Sequence, residues 1–74
     1  MAKEYYFLIR TKKLNREVRI NLAEEIEAAL DYDDFRVYFH HQNTVALVKK
    51  EEFAKVIEIL KKYKVGGTIK RYRK

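Results

Sequence analysis

Cysteine, proline, serine and tryptophan do not occur in this 74-residue chain, methionine stands only at position 1, and glycine occurs twice. Without cysteine there is neither a disulfide nor a thiolate ligand for metal. Without serine or cysteine, nucleophilic catalysis has poor material, since Thr11, Thr44 and Thr68 have no recognisable base motif beside them. No apolar run approaches the ~18 residues of a membrane span, and the start MAKEYY lacks the apolar core of a signal peptide. These absences point to a cytoplasmic, soluble protein that is not an enzyme and needs no cofactor. The dominant Lys, Glu, Arg, Ile, Val and Tyr match thermophile usage, where ion-pair networks replace labile residues.

Acid is missing from one end. The stretch 61–74, KKYKVGGTIKRYRK, carries seven basic side chains and no carboxylate, whereas residues 1–60 carry ten basic groups against eleven acids. The whole excess of +6 therefore sits in Lys61, Lys62, Lys64, Lys70, Arg71, Arg73 and Lys74. A local field of this kind favours a polyanion over a small substrate. Tyr63 and Tyr72 lie among the charges, as base stacking requires.

A chain of this length makes one domain, burying ~60% of its unfolded surface. Residues 4–11 are aromatic and branched and read as a strand. Residues 34–40 alternate, with Phe35, Val37 and Phe39 on one face and Arg36, Tyr38 and His40 on the other. Residues 44–49 form a third strand joined through His41-Gln42-Asn43, and residues 68–73 a fourth. Over residues 51–64, Phe53, Val56, Ile57 and Leu60 share a helical face, with Gly66 as the stop signal. Leu14, Val18, Leu22, Ile26, Ala29 and Leu30 suit a long first helix capped by Asn15. The competing reading turns residues 17–20 into a short strand and starts the helix at Asn21; the unbroken apolar spacing favours the long helix.

The order is then β-α-β-β-α-β, an α+β arrangement of the ferredoxin-like type: a four-stranded antiparallel sheet with two helices on one face. Strands 1 and 3 are central, and the basic fourth strand is an edge beside strand 1. Lysine and arginine on an edge also deter aggregation, but seven exceed that need. The RNA recognition motif shares this topology. Its third-strand pattern K/R-G-F/Y-G/A-F-V-x-F/Y is absent, however, since NTVALVKK has neither glycine nor ring.

The open face of such a sheet carries Arg36, Tyr38 and His40 from strand 2 and Lys70 and Tyr72 from strand 4, with Tyr6, Leu8 and Arg10 or the alternate set Tyr5, Phe7 and Ile9 from strand 1. A two- or four-residue hairpin loop adds Val45 and Leu47, whereas a three-residue loop exposes Thr44, Ala46 and Val48. Either way the face is too apolar for water alone. The expected nucleic-acid contacts are Arg10, Lys12, Lys13, Arg16, Arg36 and Lys70 with the basic tail Lys61, Lys62, Lys64, Arg71, Arg73 and Lys74 on phosphates. Tyr38, Tyr72 and Tyr6 would stack, with His40 beside them. RNA is somewhat preferred over DNA. The competing partner is a second copy of the chain, packed sheet on sheet as a homodimer.

His40-His41 are adjacent and point to opposite faces unless a turn intervenes, so the expectation is no metal site. Asp31, Asp33 and Asp34 cluster as a magnesium site would, but Asp33 and Asp34 suit the turn into strand 2 better. Gly66-Gly67 read as structural more than as a phosphate cradle.

Overall fold

Five apolar residues in a row, Tyr5–Ile9, make the first strand, and it is apolar on both sides because it runs through the middle of the sheet. The computed structural model describes residues 5–32 and 35–71, so expectations resting on Asp33, Asp34, Tyr72, Arg73 and Lys74 lie outside the described residues. The elements are β1 (Tyr5–Ile9), α1 (Arg16–Ala29), β2 (Val37–His40), β3 (Asn43–Val48), a 3-10 turn (Lys50–Glu52), α2 (Phe53–Tyr63) and β4 (Gly67–Arg71). The strand order is β2-β3-β1-β4, with every neighbouring pair antiparallel. The fold is α+β, a four-stranded antiparallel sheet with two helices.

Register decides which side chains meet the helices. Phe7 lies opposite Ala46 and Ile69, and Val37 also lies opposite Ala46. Phe7, Ile9, Val37, Ala46 and Val48 therefore share one face, and they form a buried core with Leu22, Ala23, Ile26 and Leu30 of the α1 segment and Val56 and Leu60 of α2. Both helices thus cover the same side. Phe53 anchors the start of α2, edge-on to the rings of Tyr5 at 5.1 Å and Phe7 at 5.8 Å.

The long reading of the first helix holds. The Asn15 side chain accepts a hydrogen bond from the Val18 amide at 2.9 Å, and residues 17–20 are helical, so the short-strand alternative is excluded. The hairpin loop has two residues, His41 and Gln42, both with left-handed backbone (φ 52° and 70°), as a type I′ turn requires. Buried Thr11 ties that turn down: its hydroxyl donates to the Gln42 carbonyl at 2.8 Å and meets the Thr44 hydroxyl at 2.9 Å.

Two expectations need correction. Strand 2 begins only at Val37, and Phe35, expected on the inner face, is 89% exposed. The chain leaves α1 through two left-handed residues, Asp31 (φ 66°) and Tyr32 (φ 57°), with the Tyr32 amide returning to the Glu27 carbonyl at 2.7 Å. Gly66 does not stop α2. The left-handed residue is Lys64 (φ 58°); its amide bonds the Lys61 carbonyl and the Val65 amide bonds the Leu60 carbonyl, a Schellman closure without glycine. Neither glycine has positive φ. Space explains Gly67, where a Cβ would lie 3.1 Å from Leu60 Cδ1 and 3.4 Å from the Leu8 carbonyl; one on Gly66 would meet only the guanidinium of exposed Arg10, the far end of a flexible side chain that can move aside.

Candidate nucleic-acid interface

Antiparallel pairing brings five segments to one end of the sheet: the exit of β1, the start of α1, the β2–β3 turn, the exit of α2 and the start of β4. The Arg10 amide bonds the Gly66 carbonyl at 2.9 Å and the Lys12 amide bonds Asn43 Oδ1 at 3.2 Å, so these segments are joined directly. Exposed Arg10, Lys12, Lys13, Arg16, Lys61, Lys62 and Lys64 emerge here with half-buried Arg19. Residues 10–20 and 61–66 carry one acid, Glu17. The Arg10 guanidinium lies across Gly66 and donates to Thr68 Oγ1 at 3.1 Å, which fixes its direction.

The described part of the basic run, residues 61–71, does not form one patch. Lys61, Lys62 and Lys64 stay at this end, while β4 carries Lys70 and Arg71 roughly 10–13 Å along the sheet edge at ~3.3 Å per residue. Lys70 lies opposite Tyr6 on the open face, and Arg71 lies on the helix side with its guanidinium 5.5 Å from the Tyr5 ring centre. Lys62 is occupied by Glu25 at 3.0 Å. Spatial neighbours replace sequence neighbours: Arg16 and Arg19 join the cluster that the tail was expected to make alone.

On the open face, the two-residue turn sets Tyr38 opposite Val45, so the set is Tyr6, Leu8, Tyr38, His40, Val45, Leu47, Thr68 and Lys70. Val45 is only 5% exposed, covered from this side because it lies outside the main core. Tyr38 is 49% exposed and offers a ring to a partner. The rings of His40 and His41 stand 4.3 Å apart at the end of this face. Among the described residues, no three His, Cys, Asp or Glu side chains come together as a metal site would require.

Arg36 is not available to phosphate. It is 3% exposed, and its guanidinium donates to the Leu47 carbonyl at 3.0 Å, the Leu30 carbonyl at 3.4 Å and the Glu52 carboxylate. Glu52 also accepts from the Lys49 amide at 2.8 Å. Burial pushes the Glu52 carboxyl up, but the Arg36 hydrogen bond and the Lys49 amide outweigh it and hold the group below the ordinary carboxylate range. One side chain thus clamps β3, the end of α1 and the start of α2, a structural role. A second coupled group joins the helices: the Tyr63 hydroxyl donates to Glu25 at 2.7 Å. That bond and the Lys62 ammonium hold the Glu25 carboxyl below its ordinary range, while the same bond to a carboxylate, with burial, pushes Tyr63 up to about 12.

A cleft of about 240 Å³ opens beside the turn, lined by Arg16, Arg19, Ile20, Phe39 and Gln42. Sequence reasoning named Arg16 but missed Arg19 and Phe39. The available signal was two arginines three apart at a helix start, which share a face. No protein-family model matches the chain, and no significant similarity to a curated protein or to a solved structure was found.

Proposed function

We propose that this chain is a small nucleic-acid-binding protein, with RNA somewhat preferred over DNA, acting by binding and not by catalysis. The observation that carries this reading is the convergence of Arg10, Lys12, Lys13, Arg16, Arg19, Lys61 and Lys64 from separate segments onto one end of the sheet, with Glu17 as the one acid on those stretches. Cations gathered at one end of a small domain attract a phosphate chain and release its counterions, with Glu25 of α1 neutralising Lys62 beside them. Tyr38, His40 and Lys70 extend the surface onto the open face. The strand order and the shared helix face support a ferredoxin-like reading of the fold. Among the described residues, the groups with displaced pKa values, Glu25, Glu52 and Tyr63, are all engaged in structural hydrogen bonds, which favours binding over chemistry. A cytoplasmic location, supported by the lack of cysteine, belongs to the same proposal.

Fluorescence anisotropy with single-stranded RNA, duplex RNA and duplex DNA tests it. Binding should weaken between about 50 and 200 mM salt with a log–log slope steeper than about −3. Lys12→Glu with Lys13→Glu should cost at least about tenfold, and Arg71→Glu, at a distance from the cluster, should cost less. No binding at the low-salt end would refute the proposal.

The apolar open face favours a second reading, a homodimer packed through Tyr6, Leu8, Tyr38, Val45 and Leu47. Light scattering coupled to a sizing column decides it. A dimer that Tyr38→Asp converts to monomer supports this reading, and a monomeric wild type opposes it.

A further inference from the structure

The cleft beside the hairpin pairs two arginines with an uncovered ring. Arg16, Arg19 and Ile20 form one wall and Phe39 and Gln42 the other, with no carboxylate among the described residues of the lining. Phe39 lies on the helix side of the sheet with buried Val37, yet it is 47% exposed. Strand β2 is an edge, and the part of α1 that reaches it presents Arg16 and Arg19 with Ile20 as the one aliphatic residue of the described lining.

The walls are held in place before any ligand arrives. An Arg19 guanidinium nitrogen donates to the Leu14 carbonyl at 3.1 Å, which orients the side chain. The Gln42 wall is anchored through its carbonyl to Thr11. Arg16 has no hydrogen-bond or ion-pair partner among the described residues and is free for an anion.

Guanidinium groups suit a phosphate, a half-exposed ring suits the face of a base, and a carboxamide both donates and accepts at a base edge. Size narrows the choice. About 240 Å³ is smaller than the roughly 300–1,000 Å³ of sites that enclose a free cofactor, so the cleft takes one unit of a longer ligand. A base inside a duplex cannot reach a ring set in a cleft without leaving its stack.

We infer that this cleft seats one unpaired nucleotide of a single strand, its base against Phe39 and its phosphate between Arg16 and Arg19. The inference rests on the nucleic-acid reading and adds a strand preference to it. The neighbouring cations hold the rest of the strand, and the cleft distinguishes single strand from duplex.

The experiment is anisotropy at fixed salt with an internally labelled 12-nucleotide RNA and the same sequence as a duplex. The variants are Phe39→Leu, Phe39→Tyr and Arg16→Gln with Arg19→Gln; each concerns exposed or half-buried positions, and circular dichroism confirms folding. Phe39→Leu should weaken single-strand binding about tenfold, leave duplex binding within about twofold, and be rescued by Phe39→Tyr. The double arginine variant should lose single-strand affinity by a similar factor or more. If wild type binds RNA but neither change moves the single-strand affinity, the cleft is not the site and the basic-end reading stands. Equal losses on single strand and duplex also overturn the cleft. If wild type binds neither ligand, the nucleic-acid reading itself fails.

Discussion

Replacing Arg36 by methionine keeps the apolar stem and removes the charge from a buried triple clamp. Three hydrogen bonds are lost, to Leu30, Leu47 and Glu52, and Glu52 stays buried without its cation. Breaking a buried ion pair by removing one partner costs about 3–5 kcal/mol. At roughly 0.05–0.15 kcal/mol per residue, a 74-residue domain has only about 4–11 kcal/mol in total. The variant should therefore be marginal, with a melting temperature about 15–35 °C lower. The assay is urea denaturation followed by circular dichroism at pH 7 and pH 4. In the wild type the Glu52 carboxyl lies below its ordinary 4.5, so its contribution is present above that value and lost as pH falls through the folded value. In Arg36→Met the main lowering influence is gone and burial dominates, so protonation relieves the variant and the difference should narrow at pH 4. The double variant Arg36→Met with Glu52→Leu should recover much of the loss. A loss below about 1 kcal/mol at pH 7 is the range of an exposed pair and would refute the reasoning.

Other substitutions probe separate features. Lys64→Gly relieves a left-handed residue at the end of α2 and should add about 1 kcal/mol in denaturant titration. His41→Asn with Gln42→Gly supplies the preferred type I′ residues and should also stabilise, by about 1–2 kcal/mol; a loss would mean the native side chains support the turn. Tyr63 rises to about 12 from 10.0, so its contribution is full below 10 and is lost as pH climbs through 12; Tyr63→Phe should abolish a late phenolate absorbance step and flatten the alkaline stability loss. The same substitution removes the chief cause of the lowered Glu25 carboxyl, so the stability that wild type loses as pH falls below 4.5 should also diminish.

Periodicity was enough for the helices and strands because each buries one stripe or face. The Asn15 cap and the apolar positions from Leu22 to Leu30 were readable for that reason, and so was the inward set Val37, Ala46 and Val48 once the turn length was known. Arg36 was misread because alternation gives the side of a strand, not the path of a long side chain. Its partner Glu52 lies sixteen residues on and carries no local signal. Gly66 was misread as the helix stop because a left-handed lysine, Lys64, closes α2 and carries no glycine signal, whereas Gly67 does open β4 as a strand entry. The basic tail looked like one patch in the sequence, but an extended strand moves its charges along the sheet, while folding adds Arg16 and Arg19 from α1.

The central position of β1 also has a consequence for synthesis. Its segment Tyr5–Ile9 is made before β4, which closes its second edge by pairing Ile9 with Gly67 and Tyr5 with Arg71. At roughly 5–20 residues per second, a ribosome needs about 3–12 s to travel from Ile9 to Gly67. During that interval YYFLI is a nascent sticky segment with an unpaired rim. The unfinished chain is therefore the stage at which this apolar segment can meet another chain in place of β4.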